Sequence, residues 1–153
     1  MADVLKKVPV REQAPKVRAT NFEEVCLGYN KEEAMEEANR CLGCKKAKCM
    51  EGCPVSINIP GFVHEVKEGN FEKAYQIIGE SSALPAVCGR VCPQETQCEG
   101  RCIRGMKGEA VSIGKLERHQ ASSCSTEERT QGSCNRFRSF RTYLCRRPCK
   151  DGL

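Results

Sequence analysis

The side chains best able to do chemistry in this sequence are cysteine thiols: thirteen occur in 153 residues, and eight of them fall into two tight runs. The first run reads Cys41-x2-Cys44-x4-Cys49-x3-Cys53-Pro54 and the second Cys88-x3-Cys92-Pro93-x4-Cys98-x3-Cys102. Short gaps let neighbouring thiolates reach different corners of one metal centre, and proline directly after a cysteine turns the chain away from it. Thiol density at this level is a framework rather than packing material. It compensates for a thin apolar inventory, with 39% hydrophobic residues, 5% aromatic and no Trp.

Spacing alone leaves three uses open. The first run is close to the bacterial ferredoxin pattern Cys-x2-Cys-x2-Cys-x3-Cys-Pro, whose last cysteine serves a different cluster from the first three, although its second gap is longer. Structural zinc also takes four thiolates, and eight would supply two such sites. Disulfides are disfavoured by the odd cysteine total. They are disfavoured also by a start, Met-Ala-Asp-Val-Leu-Lys-Lys, that lacks the apolar core and cleavage site of a secretory leader. A reducing, cytoplasmic setting is therefore expected, where clustered thiols bind metal. No apolar run approaches the ~20 residues that span a bilayer, so no membrane partner is expected. The net charge of +5 hints at nucleic acid, but residues 121–153, with seven basic and three acidic side chains, hold most of it. The rest of the chain is near neutral before any thiolate forms, so no phosphate-binding face is expected.

The elements that must position these thiols are helical, and the expected fold class is all-α. Residues 1–20, with Pro9 and Pro15, read as an extended arm without its own core. Asn30 followed by Glu33 predicts a capped helix that delivers Arg40 and Cys41. Residues 41–57 read as a ligand loop without regular structure. A helix begins near Pro60 and carries Phe62, Val63 and Val66 to Gly69; another starts after Asn70 with Phe71, Ala74, Tyr75 and Ile78 on one face. From Leu84 to Cys102 a second ligand loop is expected, with Pro85 and Pro93 as breakers, and Ser112 caps a short helix bearing Leu116 and Glu117. No run alternates well enough to predict a strand. Cys26 reads as a small buried hydrophobe.

Four segments carry a family resemblance: Glu37-Ala-Asn-Arg-Cys-Leu-Gly-Cys, Gly52-Cys-Pro-Val-Ser-Ile-Asn-Ile-Pro-Gly-Phe, Leu84-Pro-Ala-Val-Cys-Gly-Arg-Val-Cys-Pro-Gln-Glu-Thr-Gln-Cys-Glu-Gly-Arg-Cys and Ile113-Gly-Lys-Leu-Glu-Arg. Over roughly residues 6–118 the chain resembles the amino-terminal iron–sulfur domain of the NADPH-dependent glutamate synthase small (beta) subunit. The same module occurs in dihydropyrimidine dehydrogenase and in NADH-dependent reduced ferredoxin:NADP oxidoreductase. The resemblance implies an alpha-helical ferredoxin-like domain with two 4Fe-4S clusters and interleaved ligands. Cys41, Cys44, Cys49 and Cys102 would hold one cluster; Cys53, Cys92, Cys98 and Glu117 would hold the other. Cys88 matches a position that does not ligate. The competing reading of Glu117 is a surface acid paired with Arg118 or Lys115. Gly52, Gly89 and Gly100 are expected to let backbone approach the sulfides. Clusters that cross-link distant residues also imply that the metal-free chain loses its fold.

The function so implied is an electron-transfer module between a flavin and a redox centre of a partner subunit, such as the glutamate synthase large subunit. FAD and NADPH would belong to the full-length relative, since neither nucleotide site is legible here. The alternative is a zinc-stabilised module that docks another subunit without redox activity. The expected organisation is an arm over 1–20, a helical two-cluster domain over 21–120 and an irregular basic tail over 121–153. After Arg118 the resembling motifs stop where relatives enter a flavin-binding Rossmann domain, yet no Gly-x-Gly-x-x-Gly fingerprint is present beyond it. Back-translated and shifted by one base, the tail can encode an apolar strand, that glycine turn and a helix, so an out-of-frame reading is expected. Its rivals are a genuine basic tail that binds zinc or an acidic partner, and disordered polypeptide.

Overall fold

Helices dominate the described residues, 5–119, of the computed structural model. The readings placed on residues 121–153 lie outside them. The chain enters as an arm tied to the body by its backbone: the amide of Lys7 donates to Glu109 Oε2 (2.6 Å) and that of Val8 to Glu37 Oε2 (2.8 Å). It then forms a two-residue strand β1 (Arg11–Glu12), one helical turn α1 (Pro15–Arg18) and a strand β2 (Cys26–Gly28) antiparallel to β1. This ribbon corrects the expectation of no strand. Segments of two and three residues are too short to register a period of two, and backbone pairing alone defines them.

Helix α2 (Lys31–Asn39) starts where the sequence predicts, because Asn30 and Glu33 close a reciprocal capping box with both bonds at 2.7 Å. The first cysteine run is not free of regular structure, since α3 (Lys48–Glu51) forms inside it and carries Cys49. Helix α4 (Ile59–Lys67) has Pro60 in its first turn, and the Asn58 side chain accepts from the Gly61 amide. It stops in a paired C-terminal turn: Asn70 N–H reaches Glu65 O (2.8 Å), and Gly69 N–H reaches Val66 O (3.0 Å). Gly69 supplies the left-handed conformation (φ 80°) that this ending needs.

Helix α5 (Phe71–Gly79) comes at once after that turn. Asn70 stands at its cap position, but the side chain donates to Glu65 Oε2 (3.0 Å) across the turn and does not cap α5. Pro85 opens helix α6 (Pro85–Val91) and does not break the segment, because a first-turn proline forfeits no helical bond. A 3-10 turn (Ile103–Met106) comes after Cys102, and α7 runs over 113–119 to the last described residue. The core sits where α4 packs on α5 and α2 packs on α4. Ala34, Ala38, Phe62, Val66, Ala74 and Ile78 are fully enclosed there, joined by Leu116 of α7. Burial of a side chain such as Phe62 contributes roughly 1.5–3 kcal/mol. Among the described residues no helix is long and apolar enough to cross a membrane.

Candidate metal centre

Two helix ends, one helical turn and one loop bring the first group of thiols together. Cys41 comes directly after Arg40, the C-cap of α2, Cys44 comes after Gly43 in a left-handed turn (φ 58°), Cys49 rides on α3, and Cys102 precedes the 3-10 turn. All four line one open pocket, with Leu42, Ile103, Lys48, Arg101 and Arg104 among its other walls. Burial pushes the Cys41 thiol up, and the neighbouring Cys102 and Cys44 add to the shift while Arg104 opposes it. Burial likewise pushes Cys49 up to about 11, helped by Cys102 and Cys41. Such thiols are neutral until a cation takes the proton's place.

The second group comprises Cys53, Cys92, Cys98 and Glu117. Burial raises Cys92 and lifts Cys98 to about 12, and charge on Cys53 and Glu117 pushes both in the same direction. Cys88, one turn earlier on α6, also acts on Cys92, and its Sγ lies 3.9 Å from Ser82 Oγ.

Glu117 is the most informative member. It is 7% exposed, its Oε1 has no hydrogen-bond partner among the described residues, and burial alone raises its pKa to about 7. A buried carboxyl with an idle oxygen is costly unless it meets a proton or a cation. The reading of Glu117 as a surface acid paired with its neighbours is overturned, because those neighbours turn elsewhere. Arg118 donates to Cys26 O (2.5 Å) and pairs with Glu24 (3.1 Å), and Lys115 Nζ lies 3.9 Å from Cys26 Sγ. Cys26 is accordingly half-buried on β2, not a core hydrophobe. One buried thiol, Cys98, two half-buried ones, Cys53 and Cys92, and an unpartnered carboxylate oxygen form a donor set that fits an iron–sulfur centre.

Glycines bring α6 and α7 close enough to assemble this group. A Cβ on Gly89 would stand 2.7 Å from Gly114 O and 2.8 Å from Arg118 N. One on Gly52 would stand 2.6 Å from Gln97 O. The space these glycines leave is therefore filled by protein backbone, where the sequence suggested sulfide.

A buried ion pair escaped the sequence reading. Glu37 and Arg40, 0% and 4% exposed, meet at 2.5 Å. Glu37 also accepts from the amides of Val8 and Ser112, and Arg40 donates to Glu109 O (2.5 Å) and, at 3.3 Å, to Ala110 O. Arg104 closes the ring by donating to Arg40 O (2.7 Å). One hub thus fixes the exit of α2 at Cys41, the segment after Cys102 and the approach to α7. Its i,i+3 spacing in Glu37-Ala-Asn-Arg was the available signal, but such a pair on a helix is ordinarily a solvated one.

A helical scaffold that gathers two groups of mostly half-buried thiols fits a metal-binding protein of the iron–sulfur type. Comparison with known proteins makes the class specific: residues 18–129 match the family described as dihydropyrimidine dehydrogenase domain II, 4Fe-4S cluster. The chain belongs to this family, a 4Fe-4S domain whose chemistry is electron transfer. The match begins near the end of the arm and continues past Arg118, beyond the last of the resembling motifs.

The chain is 39% identical over 104 residues to the glutamate synthase [NADPH] small chain of Azospirillum brasilense, covering 67% of this chain and 21% of that one. It is 38% identical over 117 residues to the same-named protein of Halomonas elongata, covering 76% and 25%. It is 40% identical over 85 residues to the NAD-dependent dihydropyrimidine dehydrogenase subunit PreT of Escherichia coli, covering 56% and 21%. The chain thus spans a quarter or less of the length of these relatives.

Proposed function

We propose that this chain is an electron-relay module that holds two 4Fe-4S clusters, one on Cys41, Cys44, Cys49 and Cys102, the other on Cys53, Cys92, Cys98 and Glu117. The observation that carries the reading is the buried carboxylate of Glu117, idle at Oε1 and electrostatically coupled to Cys92 and Cys98. When bound, such clusters supply one-electron transfer at potentials set by ligand type, charge and burial. The protein's own part is to hold the thiols in walls that exclude water, and to fix the spacing of the two groups. Arg104 offsets negative charge beside Cys41, whereas Glu117 replaces a thiolate with an oxygen donor and changes the potential of its group.

The relatives' names supply the wider role. Two of them are NADPH-dependent small chains and a third is a dehydrogenase subunit. We assign the electrons a flavin source, FAD reduced by NADPH, on protein beyond the span shared with these relatives, and a redox centre on a partner subunit as destination. The zinc alternative requires donors converging within ~2.3 Å of one ion. Cys41, Cys44, Cys49 and Cys102 instead surround an open pocket.

Anaerobic purification with iron and acid-labile sulfide analysis tests the proposal directly. About eight of each per chain, with dithionite-bleachable visible absorbance, are expected for two such clusters. A colourless, folded chain with stoichiometric zinc overturns the proposal. Glu117→Ala should alter one paramagnetic resonance signal and spare the other; equal loss of both would remove Glu117 from its assigned place.

A further inference from the structure

We propose that the rim of the pocket lined by Cys41, Cys44, Cys49 and Cys102 is the docking face for an acidic one-electron carrier protein. The inference rests on the electron-relay reading above and adds where the partner binds and what its surface is like. None of the residues lining this pocket is acidic, while Lys48, Arg101 and Arg104 all line it. Lys45 and Lys46 are exposed on the strip of chain between Cys44 and Cys49, and neither they nor Lys48 is ion-paired among the described residues. Glu51 is the exposed acid that comes next on α3. This basic concentration sits on a body that is close to neutral outside residues 121–153, so its field is local to the pocket.

Exposed apolar groups occupy the same mouth. Leu42, next to Cys41, is 52% exposed, and Ile103, next to Cys102, is 36% exposed. An apolar centre ringed by charge of one sign matches the anatomy of transient protein interfaces, and the ring steers a partner of opposite charge. Apolar groups are exposed beside the other thiol group too, Val91 next to Cys92 at 71%, but the stretch from Cys92 to Cys98 carries an acid, Glu95, and no lysine or arginine, so the basic charge distinguishes the first mouth. No aromatic side chain lines the pocket for base stacking, which disfavours single-stranded nucleic acid as the occupant. The step served is transfer of one electron across the contact, with no bond made or broken: the carrier gains the electron that the iron–sulfur centre loses, or the reverse.

The test uses the full chain, anaerobically loaded, with an acidic flavodoxin as probe and a basic cytochrome c as opposite-charge control. Equilibrium binding is measured by titration at about 0.02 and about 0.2 M salt, and electron exchange by stopped-flow bleaching. Flavodoxin affinity should fall at least about tenfold with salt, and by a similar factor in Lys45→Glu/Lys46→Glu/Lys48→Glu at low salt. Lys16→Glu/Lys67→Glu, exposed lysines outside both cysteine runs, should leave it unchanged. Iron and sulfide are assayed first, and Lys45→Gln/Lys46→Gln/Lys48→Gln replaces the charge-reversed variant if that variant fails to load. A wild-type chain that takes up no iron sinks the relay reading and this inference together. A loaded chain whose flavodoxin affinity ignores salt and these lysines sinks the docking face alone. So does equal binding of cytochrome c, of a single-stranded oligonucleotide or of a second copy of the chain through the same lysines.

Discussion

The two thiol groups grow from similar sequence devices and end in opposite surroundings. Around Cys41, Cys44, Cys49 and Cys102 the walls are basic and partly exposed, and four sulfurs face one cavity. Around Cys53, Cys92 and Cys98 the proposed fourth donor is a carboxylate, Cys98 and Glu117 are buried, and close helix packing through Gly89 supplies the enclosure. Similar spacing therefore does not imply similar electrostatics. Charge and burial around a metal centre set its potential as much as ligand identity does, so the proposed clusters should differ in potential, with the open one serving the partner.

The harshest way to break this comparison is to take the metal away. Anaerobic iron chelation should abolish hydrogen-exchange protection in both cysteine runs, and leave the α4–α5 hairpin, which packs through Phe62 and Ile78, as the last protected element. Unchanged protection throughout would show that the thiols are not structural. Next in size is Glu37→Ala, which strands the 4% exposed Arg40 without its partner. A loss of about 3–5 kcal/mol is expected by denaturant titration of the loaded chain. Because the hub touches the approaches to both groups, both resonance signals should shift.

Single-thiol changes sharpen the distinction. Cys102→Ser and Cys98→Ser should each lower bound iron by about half, and each should erase a different resonance signal. A common spectrum for the two variants would contradict the assignment of these cysteines to separate groups.

The smallest expected effect is on pH. Cys49 at about 11 and Cys98 at about 12 hold their protons at neutrality. Ligation expels those protons, so apparent iron affinity rises with pH in both groups. The first group must release protons from four thiols, the second from three thiols and from Glu117, raised to about 7, so below that pH the two loadings should fall with acid about equally steeply and above it the second group's should depend on pH less. In Glu117→Gln the second group's slope should be the shallower below that pH as well, as read by cluster-specific resonance intensities after reconstitution at about pH 6 and about pH 8. Slopes that stay equal at low pH in this variant would show that the carboxyl proton is not the one released.

Much of the scaffold was legible before any coordinates, and the reason is locality. The Asn30–Glu33 capping box, the first-turn Pro60 and the glycine ending at Gly69 each involve residues within a few positions of one another, so spacing carries the information. The same holds for the apolar faces of α4 and α5. Short elements were lost for want of length: α3 and the β1–β2 ribbon are too brief to leave a periodic trace. Pro85 was misread because a proline that starts a helix and one that interrupts a loop look alike until the backbone conformation of residues 86–91 is known.

The sequence by itself determined that thiols would dominate the chemistry, that helices would carry them, and which family their motifs resemble. Only the tertiary structure decided what surrounds each donor. It buried Glu117 while turning Arg118 and Lys115 toward β2, and it enclosed the Glu37–Arg40 pair among amides and carbonyls drawn from two distant segments, the arm and residues 109–112. Burial and partner choice are sums over residues far apart in the chain. No local pattern encodes whether a carboxylate at a given position meets water, a guanidinium or a metal site.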